Sequence, residues 1–359
     1  MKKYIGCDMH KKYSVFVTMR EDGKREAPVT VSHDSLELEA YLRTLAPGTP
    51  VAVEASGGWY WFVDELERAG LDVRLVNPLE AKKRMPGRNK TDQIDAAGLA
   101  MLLRNGTLPE VWIPPAGLRD LRGLLRARLA LRSHTTTLKN RIHGALRRYG
   151  QYEAGEPKNL FHGKGRVKLS VYVASLPPAT RLATRHEWVL LDEAEQHIED
   201  LEKQIRLTIG QLGFVRLLKT LPGVGEILSA TIYLEIGDVQ RFPSPPHLAS
   251  YAGLTPTVHA SGGKIHLGRT SHMANHYLKW AFVEAANCIV MQKHRFGQRH
   301  VVQLYDRLRK AKNHGKAAVA VGRHLAEASW WMLSNKQTYR EPAPASMSSS
   351  KNGSARKAV

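Results

Sequence analysis

The sequence predicts a chain of mixed fold class, an α/β domain over residues 1–110 followed by all-α regions. Three observations predict it. Short apolar runs alternate with helical patterns up to residue 110, two long segments with a seven-residue apolar repeat follow, and the apolar pattern beyond residue 214 is mostly helical. We therefore divide the chain into an α/β domain (1–110), a helical coiled-coil segment (111–213), a mostly helical domain (214–335) and a disordered tail (336–359).

The α/β domain begins with two short apolar runs that are joined by a turn-like MHKK sequence, as in a β-hairpin. The predicted strands cover residues 4–8, 13–19, 28–32, 51–55 and 71–76. Helical patterns cover residues 36–45, 57–66 and 91–103, the last ending before Asn105-Gly106. A basic loop, KKRMPGRNK, lies between the last strand and the last helix.

The coiled-coil segment carries two heptad patterns of opposite charge. In the first, which is basic, the residues seven apart are Leu124, Leu131, Leu138 and Ala145. In the second, which is acidic, they are Leu191, Ile198, Ile205 and Leu212. The patterns fit an antiparallel pair or a subunit junction, and equally two amphipathic helices in one globular bundle.

The mostly helical domain opens with the sequence LPGVG, which resembles a helix-hairpin-helix loop. Glycines there let backbone amides approach phosphate oxygens, although a plain helix–helix turn fits as well. Further helices are expected over 278–291, 301–310 and 317–333. Between them Ser261 precedes Gly262-Gly263, a position at which a serine is usually structural.

Charge points to a polyanionic partner. The 359 residues include 53 Lys and Arg against 33 Asp and Glu, a formal net charge of +20. No apolar run approaches the roughly 20 residues of a membrane-spanning helix. Cys7 and Cys288 form no zinc or disulfide pattern, so we expect a cytoplasmic protein, associated with the nucleoid when bound, and no membrane partner.

Four carboxylates form the candidate catalytic set of the α/β domain. Asp8 ends the first strand, Glu54 lies within the apolar strand VAVEA, and Asp92 and Asp95 fall three apart at the start of a helix. Oxygen ligands of this kind suit Mg²⁺ or Mn²⁺, and two such ions can clamp the attacking and leaving oxygens of a phosphodiester. Taken alone, Asp92 could simply cap its helix with Thr91.

Basic and glycine-rich positions form the candidate nucleic-acid contacts. They are Lys82, Lys83, Arg84, Arg88 and Lys90 in the basic loop, Arg122, Arg126 and Arg132 in the basic heptad helix, Gly223 and Gly225 in LPGVG, and Lys264 and Arg269 after the serine. Solvated surface explains the loop residues nearly as well.

In the order of these motifs the chain resembles the insertion sequence 110 family of transposases, relatives of the Piv-type DNA invertases. The matching strings are IGCDMHK, VEASGGWYW, NKTDQIDA, LPGVGEILSATIYLEIGDVQRF and LASYAGLTPTVHASGG, spread over roughly residues 1–335. After the serine the family's usual Lys-x-Gly-Asn and Leu-Arg are replaced here by a stretch that ends in Ala274-Asn275, with Leu278-Lys279 beyond it.

The resemblance implies a RuvC-type, ribonuclease-H-like first domain whose four acids bind Mg²⁺, and Ser261 as the nucleophile that links covalently to DNA. It also implies donor and target DNA as substrates, a structured noncoding guide RNA as partner, and a homo-oligomer, dimer or tetramer. Two rivals stay open: a Holliday-junction or ribonuclease-H-like nuclease that uses water, and a non-catalytic nucleic-acid-binding scaffold.

Overall fold

The computed structural model describes residues 2–85, 91–151, 159–261, 264–270 and 273–342. The chain divides after Ala116 into two compact units, each with its own core. No helix of the described ranges combines the length and the apolar character that crossing a membrane requires.

The first unit is α/β, as predicted. Its strands are β1 (Lys3–Met9), β2 (Tyr13–Arg20), β3 (Val29–Ser32), β4 (Pro50–Glu54), β5 (Asp72–Val76) and β6 (Glu110–Val111). Its helices are α1 (Ser35–Leu42), α2 (Trp59–Arg68), α3 (Pro78–Arg84) and α4 (Asp92–Arg104). The predicted basic loop is wrong in its first part, because Pro78 at the first turn and the N-cap side chain of Asn77 begin helix α3 there.

The six strands form one mixed sheet in the order β3-β2-β1-β4-β5-β6. Strand β2 is antiparallel to β1 and β3, whereas β1, β4 and β5 run parallel and β6 closes the edge antiparallel to β5. In the core, Ile5, Cys7 and Val53 pack with Phe62 of α2 on one face of the sheet. On the other face, Val15 and Val17 pack with Ala96 and Ala97 of α4.

The second unit is mostly helical, also as predicted. Its helices are α5 (Ala116–Arg148), α6 (Lys164–Ser175), α7 (Pro178–Thr208), α8 (Gly213–Leu218), α9 (Glu226–Ile236), α10 (Pro245–Tyr251), α11 (His276–Met291), α12 (Lys293–Phe296), α13 (His300–Arg309) and α14 (His314–Asn335). The sequence did not predict α6, which follows a Gly- and Pro-rich connection, nor the hairpin β7 (Pro256–Ser261) and β8 (Lys264–Thr270).

The two heptad helices, α5 and α7, pair within one chain. Their ion pairs join Arg128 to Glu202, Lys139 to Glu195 and Arg141 to Glu187, so residue numbers rise along α5 as they fall along α7. The pair is therefore antiparallel, one of the arrangements that the heptad pattern allowed. Apolar side chains complete it, with Ile142 and Leu146 packed beside Leu191.

The last described residues continue beyond α14. The backbone amide of Tyr339 donates a hydrogen bond of 3.0 Å to Oγ1 of Thr220, and the Tyr339 side chain is half-buried. Residues 336–342 thus make tertiary contacts, contrary to a disordered tail that begins at 336. Residues 343–359 of that predicted tail lie outside the described residues.

Candidate active site

Strand alternation brings Asp8 and Glu54 to the same face at one edge of the sheet. Gly6 pairs in register with Ala52 of the parallel strand β4, and Ala52 packs against Leu99 of α4. Since side chains alternate along a strand, Asp8 and Glu54, each two residues further on, also face the α4 side. Glu54 is the last residue of β4 and half-buried, not the mid-strand charge that the sequence indicated.

Helix α4 begins at the same edge. Thr91 is its N-cap, and the Thr91 side chain accepts a hydrogen bond from the amide of Ile94. Because Thr91 caps the helix, the carboxylate of Asp92, the first helical residue, is left to contact His10 and Tyr13. Asp95 lies one turn further along α4 and is half-buried.

Gly6 allows α4 to lie directly on β1. A Cβ atom at this position would lie 1.9 Å from the carbonyl oxygen of Ala96 and 2.5 Å from the amide nitrogen of Ala100. Both are backbone atoms in the middle of a helix, so no side-chain rotation could relieve the contact. The absence of a side chain at Gly6 is therefore what lets the start of α4 reach the level of Asp8.

We expect Gly6→Ala to destabilise the first unit by about 1–3 kcal/mol, the usual cost of overpacking a core, or more. Urea denaturation followed by circular dichroism measures the change. Gly57→Ala is the matched control, because a Cβ at Gly57 would meet no atom within 4 Å. Equal stability of the two variants would show that α4 does not depend on this contact.

The closest cluster of metal-ligating atoms in the described residues consists of Asp8, His10 and Asp92. One ligand atom from each lies within 4.8 Å of the others. His10 Nε2 is 3.4 Å from Oδ2 of Asp8 and 3.1 Å from Oδ2 of Asp92. The Asp8 and Asp92 side chains are 17% and 41% exposed, so a solvent-borne phosphate could reach both.

Tyr13 completes the cluster. Its hydroxyl donates a hydrogen bond of 3.1 Å to Oδ2 of Asp92, and its ring stacks on His10 with the ring centroids 4.7 Å apart. The hydrogen bond to Asp92 raises the pKa of the Tyr13 hydroxyl above its ordinary value, because ionisation would place a second negative charge beside the carboxylate. Tyr13 therefore acts here as a neutral donor that orients Asp92.

The predicted acids do not all enter this tight group, since Glu54 and Asp95 lie outside it. His10 and Tyr13 enter it although the sequence analysis did not select them. A signal existed in the sequence, because His10 follows Asp8 by two residues, directly after the end of β1, and a histidine is a possible metal ligand.

The predicted basic contacts near this site are placed as follows. Lys82, Lys83 and Arg84 lie exposed on α3. Lys83 Nζ is 2.7 Å from Oε1 of Glu80, and Arg84 donates to the carbonyl of Thr107. Arg88 and Lys90 fall outside the described residues.

Ser261 lies in the second unit, as the last residue of β7. It is exposed and pairs in register with Lys264 at the start of β8. Gly262 and Gly263, which lie between them in the sequence, are not among the described residues. Arg269 is exposed on β8, and its carbonyl accepts a hydrogen bond from Oγ1 of Thr257.

Glu235, at the end of α9, is fully buried and forms the centre of a polar network. Its carboxylate accepts two hydrogen bonds from Arg126, of 2.9 and 3.0 Å, and one of 2.8 Å from the side chain of Asn275. Asn275 also caps α11 through the amide of Leu278. Asn275, in the stretch that departs from the family's usual sequence, thus has a structural role here.

This network corrects one predicted nucleic-acid contact, Arg122. Arg122 is buried, and it donates to the carbonyls of Leu234 and Glu235 at distances of 2.8 and 3.1 Å. Burial lowers the pKa of Arg122, and Glu235 opposes that shift. Arg122 and Arg126 therefore hold α5 against α9. The buried guanidinium of Arg122 is not offered to a phosphate, whereas the Arg126 side chain is 33% exposed and stays a predicted contact. Arg132 differs, since its side chain is 46% exposed and its ion pair with Glu202 is long, at 4.0 Å. Arg132 therefore stays a predicted nucleic-acid contact.

The LPGVG glycines serve different purposes. Gly223 has φ +74°, and a Cβ there would lie 2.3 Å from the carbonyl of Ala285 in α11, so backbone conformation and packing both require glycine. Gly225 is the N-cap of α9, with open space around it. Of the two, Gly225 alone keeps the room that a phosphate contact needs.

Comparisons with known proteins agree on one family. A transposase domain model of the DEDD, IS110 type matches residues 5–151, and a model described as "Transposase IS116/IS110/IS902 family" matches residues 215–301. The transposase for insertion sequence element IS1111A of Coxiella burnetii is 26% identical over 297 residues, which cover 81% of this chain and 79% of the relative.

Two further relatives extend the comparison. A probable family 20 transposase of Pseudomonas aeruginosa is 25% identical over 85% of this chain and 89% of its own length. The pilin gene-inverting protein of Moraxella lacunata is 31% identical over 60% of this chain and 58% of its own length.

Proposed function

This chain belongs to the IS116/IS110/IS902 family of transposases, and from that premise we propose that it cleaves and rejoins DNA with a divalent metal and a serine nucleophile. The single observation that carries the proposal is the convergence of Asp8 and Asp92 at one edge of the sheet. Two carboxylates that close together repel each other, and a cation bound between them relieves that repulsion.

The donor set fits Mg²⁺ or Mn²⁺. Carboxylate oxygens are the ligands that both ions prefer, and the sites of Asp8 and Asp92 are partly open to solvent. Asp8 and Asp92 would hold the ion, with Glu54 and Asp95 on the same side of the sheet as further ligands or water-bound contacts. When bound, the metal supplies positive charge to the phosphate under attack. Tyr13 and His10 would keep Asp92 oriented toward it.

Ser261 would carry out the strand exchange. Its hydroxyl oxygen attacks a DNA phosphorus, the bond from phosphorus to the 3′ oxygen breaks, and the proton that serine loses is balanced by the proton that the departing 3′ oxygen gains. A 3′-hydroxyl of the partner strand then reverses these bond changes on the phosphoserine, so no external energy source is needed. Lys264 and Arg269, on the neighbouring strand, are the proposed phosphate contacts.

The finer features implied by the family resemblance belong to the same proposal. The mixed sheet, with an antiparallel hairpin beside parallel strands and acids at one edge, supports a ribonuclease-H-like first domain. We also propose donor and target DNA as substrates, a structured guide RNA encoded by the same element, a homo-oligomeric assembly and action on the nucleoid in the cytoplasm. The net charge of +20 supports the polyanionic partners.

Covalent capture tests this function. Wild-type protein, supplied with Mg²⁺, the RNA transcribed beside its element and a duplex nicked next to the cleavage site, should accumulate a protein–DNA adduct that survives denaturation. The nick lets the released strand diffuse away, so rejoining cannot remove the adduct. Mass spectrometry should place the adduct on Ser261.

Ser261→Ala should give no adduct, whereas Ser250→Ala, a change at an exposed serine of α10, should give the wild-type amount. An adduct on another residue would move the nucleophile. Cleavage without any adduct would identify a nuclease that uses water, and an adduct that forms in excess chelator would exclude the metal.

A further inference from the structure

A strongly basic surface lies at the turn between α13 and α14, beyond residue 301, where the matched family model ends. Its members are Arg307, Lys310, Lys312 and Lys316, all exposed. We refer to these four residues as the α13–α14 basic surface. None of the motifs in the proposed function includes them.

The acidic residues near this surface pair with other cations, so the positive charge of the surface is not neutralised. Lys293 pairs with Asp306, and Arg299 lies 3.8 Å from Glu341. Asp306 is the only acidic residue between positions 293 and 316 of the sequence. Within the described ranges, none of the four cations of the α13–α14 basic surface lies within ion-pair distance of a carboxylate.

The backbone that carries the four cations is anchored. Val301 and Tyr305 of α13 and Ala317 of α14 are buried in the core of the second unit. Asn313 caps α14 through the amide of Lys316, and Arg309 donates to the carbonyl of Lys312 across the turn. The cations therefore extend from a fixed turn, which lowers the entropic cost of binding a ligand at several of them together.

The chemistry of the surface selects a phosphate backbone over bases. Proteins that bind single strands combine cations with exposed aromatic rings on which bases stack. Between Met291 and Trp331 the described residues include no exposed large hydrophobic side chain. Cations without exposed aromatic rings beside them suit the regularly spaced phosphates of a duplex. Contacts to phosphates do not depend on the base sequence.

We propose that the α13–α14 basic surface binds the phosphate backbone of duplex DNA independently of sequence. It adds to the proposed catalytic function a contact that holds DNA without taking part in the chemistry. Binding there requires neither the metal site nor Ser261.

The test measures DNA binding directly, without metal and without cleavage. The full chain is titrated onto a fluorescent duplex of unrelated sequence at several salt concentrations. Arg307, Lys310, Lys312 and Lys316 are replaced together by Gln. Plots of log K against log salt have a negative slope, and each lost phosphate contact makes it shallower by about 0.9 unit. We therefore expect the magnitude of the slope to decrease by about two to four units.

A second variant controls for net charge. Arg20, Arg43, Arg68 and Arg323 are exposed and each lies in an ion pair, so replacing these four by Gln lowers the net charge equally. The control should keep a slope within about one unit of the wild type, since paired cations release few counterions. Circular dichroism melting curves establish that both variants are folded.

Equal slopes for the two variants would overturn the proposal, because net charge alone would then explain the loss. A loss confined to a single-stranded RNA probe would also overturn it, and would assign the surface to RNA. Neither outcome bears on covalent capture at Ser261, so failure here is distinct from failure of the catalytic function.

Discussion

Asp92→Asn should lower recombination by about a thousandfold or more while DNA binding is retained. Loss of a metal-ligating charge removes several kcal/mol of transition-state stabilisation, and each 1.36 kcal/mol corresponds to a factor of ten in rate. The substitution is nearly isosteric and keeps an oxygen that can accept from Tyr13. Recombination is measured by product formation on donor and target duplexes, and binding by fluorescence titration.

The stability of Asp92→Asn separates a catalytic role from a structural one. Asp92 is partly exposed, and its charge lies close to that of Asp8, so the melting temperature should stay near the wild-type value. Asp22→Ala is the control. Asp22 lies in the turn after β2, at the end of the sheet opposite Asp8, and should leave recombination unchanged. Normal recombination by Asp92→Asn would refute the metal site.

Glu235→Ala should lower the free energy of unfolding of the second unit by about 3–5 kcal/mol, the usual result of removing one partner from a buried ion pair. The guanidinium of Arg126 would lose both of its carboxylate contacts, and the Asn275 side chain would lose its acceptor. Urea denaturation measures the change, with the mid-point as the direct readout.

Glu327→Ala gives the comparison for an exposed pair. Glu327 pairs with Arg323 one turn earlier on α14, where both side chains are solvated. Removing such a pair changes stability by less than about 1 kcal/mol. If Glu235→Ala were as mild as Glu327→Ala, the buried network would not hold α5 against α9.

Local pattern was enough to predict most of the first unit. Short apolar runs predicted the five longer strands, and the helix that begins at about Thr91 was expected to end before Asn105-Gly106. Helix α3 was missed because its basic residues, Lys82, Lys83 and Arg84, resemble a solvated loop when read without the preceding Asn77 cap.

Contacts between residues distant in sequence could not be predicted. Arg126 and Glu235 are separated by more than a hundred positions, and a basic heptad helix gives no sign of which arginines will be buried. For the same reason Arg122 was expected to bind nucleic acid. The hairpin of β7 and β8 was missed because its strands lie between helical segments and are joined by only two glycines.

The antiparallel pair of α5 and α7 is a rigid element of defined length. At about 1.5 Å per residue, the 33 residues of α5 extend about 50 Å, close to the span of 15 base pairs at 3.4 Å each. The ion pairs between the helices fix the register of α5 against α7, because a shift of one helix along the other would separate the cations of α5 from the acids of α7. Adding seven residues to each helix would lengthen the pair by about 10 Å, and the two helices would still pack through the same faces. Adding two or five residues would instead rotate the apolar stripe by roughly 200° or 140°, at about 100° per residue, and so away from its partner. A change of length that keeps this packing is therefore one of nearly whole helical turns, made in both helices together.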